Sequence, residues 1–190
     1  GTPAYMAPEM VRGRSDVRSD VFLLGASLHQ AVTGELRHHG AGMLETVAAA
    51  ARCDEYAYAP EVPEELAAIL TRACAREPEA RFQTVNELRD ALLRFREHRA
   101  ASSLVITARA RLQQLEALAR DPAQADYGRA QALFTETRFA FEQAREVWPE
   151  HPEAREGLSE AIAQMVRFEL ALDHVDAAHA LFESQPELTV

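Results

Sequence analysis

From residue 105 onward, apolar residues recur every three or four positions, and no other feature limits the possible folds so strongly. Val105, Ala108, Leu112, Leu115 and Ala119 form one stripe. After Asp121-Pro122 a second runs through Tyr127, Ala130, Phe134, Thr137, Phe141, Ala144 and Trp148. Pro149 and Pro152 interrupt it, and Ala154, Leu158, Ala161, Met165, Phe168 and Leu172 form a third. A short loop at 173–176 leads to a fourth, Val175, Ala178 and Phe182, which stops at Pro186. Steps of three and four put each set on one face of a helix. Short breaks between helices make antiparallel neighbours, so the spacing predicts four antiparallel helices here. No alternating pattern of the kind a half-buried strand needs stands out anywhere, and the expected fold class is all-α.

The first half is built differently. Residues 1–14 are loop-like, with Pro3, Pro8 and Gly13. A helix is expected over 17–32. Val21, Leu24, Leu28 and Ala31 step along one face, but Phe22, Leu23 and Val32 are apolar too, and a helix apolar all round is an enclosed one. Gly34 is placed to cap its C-terminus. A short Ala-rich helix is expected over 43–51. Pro63, followed by Glu64 and Glu65, opens another that runs to about Ala75 and is closed by Pro78. Thr84 and Glu87 form a T-x-x-E capping box that opens a helix to about Arg96. Charge shifts near residue 100: residues 1–99 hold 12 Arg against 15 acids, and residues 100–190 hold 8 against 15. Ala100-Ala101-Ser102-Ser103 is either a joint or continuous helix. The expected domains are 1–97 and 98–190.

Composition removes several function classes. All 20 basic residues are arginine, so no lysine can form a Schiff base or reach a nucleotide phosphate. A formal net charge of −10 argues against a nucleic-acid footprint and against a basic membrane-surface helix. Two cysteines, Cys53 and Cys74, are too few for a disulfide framework. No apolar run approaches a membrane span. There is no signal peptide and no initiator Met, and the expectation is a cytoplasmic piece of a longer protein.

Residues 1–9, Gly-Thr-Pro-Ala-Tyr-Met-Ala-Pro-Glu, match G-T-x-x-Y-x-A-P-E. Residues 19–25, Ser-Asp-Val-Phe-Leu-Leu-Gly, match S-D-V-[YF]-x-x-G, and Thr33-Gly34 follows. Residues 75–82, Ala-Arg-Glu-Pro-Glu-Ala-Arg-Phe, match x-x-[DE]-P-x-x-R-[FP]. In this order and at this spacing, the sequence resembles the C-terminal part of a eukaryotic-type protein kinase domain, in the style of bacterial serine/threonine kinases. The resemblance covers about residues 1–97.

The resemblance implies roles for individual residues. Thr2 would help set the hydroxyl acceptor beside the catalytic aspartate. Pro3, Tyr5 and Met6 would shape the pocket for the residue after the phosphoacceptor. Ala7, Pro8 and Glu9 would close the activation segment, with Glu9 paired to Arg81. Asp20 would cap backbone amides of the catalytic loop, and Gly25 would permit close packing along the central helix.

The same resemblance defines what the sequence does not contain. Phosphoryl transfer in this family needs a glycine-rich loop, a strand lysine, an H-R-D-x-x-x-x-N loop and a D-F-G aspartate for magnesium. None of these strings is present. These residues are therefore expected to be catalytically inactive on their own, with no cofactor or metal, while the parent would use ATP and Mg. A stand-alone pseudokinase-like scaffold or a helical protein-binding adaptor is the alternative.

In the second half, Phe141-Glu142-Gln143-Ala144-Arg145-Glu146-Val147-Trp148-Pro149 resembles the second helix of a tetratricopeptide-like repeat, and Asp176-Ala177-Ala178-His179-Ala180-Leu181-Phe182 looks like another. The match is degenerate. It implies protein or peptide partners for this region, with arginines available to hold acidic groups. His38 and His39 read as exposed loop histidines, Cys74 as core, and His174 and His179 as lying on different faces.

Overall fold

The computed structural model describes residues 2–183. Gly1 and the expected stop at Pro186 lie outside them. Among the described residues no strand occurs, and the fold is all-α. The chain divides into two compact units, Gly1–Phe95 and Arg96–Val190.

The first unit opens with a 3₁₀ turn, Pro3–Tyr5, and a one-turn helix α1, Pro8–Val11. The stretch expected as loop is thus partly wound. Proline fits the start of such turns because the N–H it lacks would have no partner there. Helix α2, Val17–Thr33, is capped at its N-terminus by Asp16 and Ser19 in a reciprocal capping box. Gly34 closes it in the left-handed region at φ 77°, with its N–H bonded to Gln30 O at 2.8 Å.

The buried face of α2 carries Val21, Phe22, Gly25, Ala26 and His29. Leu24 is 43% exposed and Val32 37% exposed, and Ala31 also faces out. The expected stripe is therefore split: Val21 is buried and Leu28 half-buried, while Leu24 and Ala31 lie on the outer side. With apolar residues on both sides, periodicity alone cannot choose a face. The small residues choose it, because a Cβ on Gly25 would lie 2.7 Å from Ala73 Cβ.

Helices α3, Met43–Arg52, and α4, Glu64–Ala73, follow, with Pro63 at the N-cap of α4. A second 3₁₀ turn, Pro78–Ala80, precedes α5, Val85–Leu118. Thr84 Oγ1 accepts from Glu87 N at 3.1 Å, while the Glu87 carboxylate accepts from Gln83 N at 2.9 Å, one residue beyond a standard box. The helix expected to end near Arg96 continues to Leu118, and the boundary between the units falls within it. Residues 97–103 contain no Gly or Pro to stop it.

In the second unit α6, Tyr127–Val147, α7, Ala154–Ala171, and α8, Val175–Glu183, join residues 101–115 of α5 around one core. The first three stripes supply it. Val105, Leu112, Phe134, Phe141, Leu158 and Phe168 are among its buried members. Gly157 brings α7 onto the Phe141 ring, where an added Cβ would meet Cζ at 2.3 Å. The fourth stripe is only partly used: Ala178 is buried, but Val175 and Phe182 are exposed. Among the described residues no helix is long and apolar enough to cross a membrane.

Candidate functional site

Glu9 and Arg81 lie 72 residues apart in sequence and meet as a two-pronged pair, at 2.7 and 2.8 Å. The Arg81 side chain is wholly buried. Its remaining N–H groups reach Ala75 O at 2.7 Å, Arg18 O at 3.1 Å and Arg76 O at 2.9 Å. All five donors of the guanidinium are therefore satisfied, which a buried charge requires. The guanidinium carbon also sits 4.9 Å from the centroid of the Phe22 ring. Ser19 Oγ donates to Glu9 at 2.7 Å and accepts from Asp16 N at 3.2 Å. This ties the cap of α2 into the same network. Burial pushes the Glu9 carboxyl up, but its hydrogen bonds from Arg81 and Ser19 outweigh this and hold it below its ordinary value.

The segment ahead of Glu9 is pinned along its length. Ala7 is fully buried with Phe22, Ala26, Cys53 and Cys74, and Tyr5 and Met10 pack on them. Tyr5 OH donates to Gln30 Oε1. Thr2 is exposed and, with Pro3, Ala4, Leu36 and Met43, lines a hollow of about 240 Å³. A larger hollow of about 520 Å³, lined by Arg37, Tyr56, Tyr58 and Cys74 among others, takes in Ala75 and Arg76 from the start of the third motif but neither Glu9 nor Arg81. Pro8 is buried, and Asp20 is exposed on the first turn of α2.

Some participants carried no warning in the sequence. Asp16 and Ser19 form the cap of α2, and serine at the third helical position does not fit the Glu/Gln capping signature. His38 is 3% exposed rather than a surface loop residue. Its backbone N–H donates to Ala4 O at 3.1 Å, and its Nε2 lies 3.2 Å from Met6 O. Burial, with Arg37 nearby, lowers its pKa to about 4. Cys74 is buried, and burial pushes its thiol up to about 11, as suits an inert core residue.

In the second unit, three arginines that could hold acidic groups, Arg109, Arg111 and Arg138, are engaged by the unit's own glutamates. Arg109 lies within 3.8 Å of Glu153, Glu156 and Glu160, and Arg111 pairs with Glu136 at 2.9 Å. The buried Glu169 accepts from Tyr127 OH at 3.0 Å and Gln131 Nε2 at 2.8 Å, and lies 2.8 Å from His174 Nδ1. Among the described residues no group of three or more His, Cys, Asp and Glu is placed to hold a metal ion.

No family model matches the chain. Individual proteins do. Over 99 residues it is 38% identical to Tyrosine-protein kinase MasK of Myxococcus xanthus, a match covering 50% of this chain and 15% of that protein. Over 104 residues it is 36% identical to Serine/threonine-protein kinase PknB of Mycolicibacterium smegmatis, covering 53% and 17%. Over 100 residues it is 36% identical to Serine/threonine-protein kinase PksC of Streptomyces coelicolor, covering 50% and 18%. About half of the chain is thus related in sequence to bacterial protein kinases. The matches span less than a fifth of those relatives' length.

Proposed function

We propose that residues 1–97 are the acceptor-side part of a serine/threonine protein kinase domain, carrying the loop that presents a protein hydroxyl and the base that holds this loop. The observation that carries this reading is the fully satisfied Glu9–Arg81 pair, which joins two of the three motifs into one network. Such a pair fixes the end of the segment running from Thr2 to Glu9 onto a packed base, leaving Thr2 and Pro3 at the rim of a hollow. Positioning of this kind is the main contribution a protein makes to phosphoryl transfer. The exposed ridge of α2, with Val17, Leu24 and Val32, suits a helix covered by further parts of a kinase.

The nucleotide and magnesium would be held, and the catalytic aspartate supplied, by residues other than these 190. The 190 residues by themselves bind no ATP or Mg usefully and transfer no phosphate, and the parent acts in the cytoplasm on protein substrates. Serine or threonine is the proposed acceptor; the similarity to both kinds of kinase makes phosphoamino-acid analysis of the product the discriminating assay.

Residues 98–190 are proposed as a tetratricopeptide-like region that binds a protein or peptide. Its small buried residues, Ala130, Ala144, Ala154, Gly157 and Ala161, allow the close helix pairing such repeats need. With 8 Arg against 15 acids in residues 100–190, and with Arg109 and Arg111 already paired, the fitting partner is basic.

The test is the reading frame that encodes these residues. H-R-D and D-F-G motifs ahead of Gly1, in a product that binds ATP by calorimetry, are the expected result. Broken motifs and no ATP binding would instead favour a pseudokinase-like scaffold.

A further inference from the structure

We propose that His38 is a positioning residue for the acceptor loop, holding the Ala4 and Met6 carbonyls on either side of Tyr5 so that the loop keeps one shape. The assignment rests on reading residues 2–9 as that loop. Three contacts converge on this residue. The backbone N–H bonds to Ala4 O, the ring nitrogen Nε2 faces Met6 O, and the ring stacks on Phe22 at 5.7 Å between centroids with 14° between planes. Phe22 lies in the same cluster as Ala7 and carries the Arg81 guanidinium close to its ring, so the stack joins the loop to the Glu9–Arg81 base.

A carbonyl oxygen only accepts, so the nitrogen facing Met6 must carry the proton. Burial keeps the imidazole neutral near pH 7, and the second nitrogen is then the unprotonated one. A phenylalanine would keep the stack and the backbone bond but leave the Met6 carbonyl without its donor. His38, with Thr2, Pro3, Ala4, Leu36 and Met43, also lines the hollow of about 240 Å³, so a change in the loop's shape changes that hollow.

Amide hydrogen exchange in the 190-residue chain tests this. Tyr5 N and Met6 N, bonded to Thr2 O and Pro3 O, report the loop, and the amides of α2 report the base. In His38→Phe, exchange at Tyr5 and Met6 is expected to rise about tenfold while the α2 amides change less than about twofold. His38→Gln, which offers an N–H donor, restores most of the protection. The ¹⁵N spectrum of the unsubstituted chain should show a protonated, pyrrole-type Nε2. Unchanged loop exchange in His38→Phe would overturn the proposal. So would an equal rise throughout α2, a glutamine variant no better protected than the phenylalanine one, or an unprotonated Nε2. Phosphate transfer enters none of these measurements, so failure of the kinase reading and failure of the His38 assignment are told apart.

Discussion

Arg81 presents five donors to five oxygens, and its side chain has no contact with solvent. Removing one partner of such a pair leaves the other buried and unpaired. Arg81→Ala or Glu9→Gln should therefore destabilise the first unit by about 3–5 kcal/mol, read from urea midpoints. A control that costs little, such as Glu79→Gln on the exposed end of an Arg18 pair, should change stability by less than about 1 kcal/mol. Gly25→Ala pushes a methyl to 2.7 Å from Ala73 Cβ and should cost about 1–3 kcal/mol by forcing α2 and α4 apart. Acid stability follows from His38 and His29, both held below their ordinary pKa chiefly by burial. The unfolded chain takes up protons that the folded one resists, so this stability is complete above about pH 6.5 and is lost as pH falls toward 4. The lowered Glu9 carboxyl adds a loss in the same direction at lower pH. Thermal midpoints measured between pH 7 and 4.5 should fall, and His38→Phe should flatten that slope. At this scale the Glu9–Arg81 pair was legible because it sits inside two motifs. His38 was not: in a stretch flanked by Gly34 and Gly40, a histidine has the same appearance whether it is solvated or folded back onto a loop.

Among the elements, the helices with a clear polar face were the readable ones. The stripes through Leu112, Phe134, Phe141, Leu158 and Phe168 coincide with the buried core of the second unit. Two features escaped that logic. On α2 both sides are apolar, and the choice of face depends on Gly25 and Ala26, small residues that add little to a hydrophobic pattern. On α5 a change of composition near residue 100 suggested a joint, yet the backbone there has good helix formers and no breaker. Ser103 is exposed within this helix, and its carbonyl accepts from Thr107 Oγ1 at 3.0 Å. Ser103→Pro should cost about 3 kcal/mol or more and reduce helical ellipticity by circular dichroism; a true joint at this position would tolerate it.

The chain as a whole combines an all-α fold, a buried Glu9–Arg81 network at the base of a loop, and sequence similarity to bacterial kinases over about half its length. Fold class was legible from periodicity. The relation to kinases was legible from three ordered motifs, and a role for the second unit was not, because helical surfaces of many functions carry the same stripe inside. On the function proposed above, these residues supply acceptor positioning and the phosphate-handling groups would lie elsewhere in the same protein. Transfer of labelled phosphate from ATP to a protein acceptor tests it directly, measured side by side for the 190-residue chain and for the product of the entire reading frame that contains it. The expected result is transfer by the full product only, to serine or threonine, with strong loss in Arg81→Ala. Transfer by the 190 residues alone, or none by the full product, would contradict it.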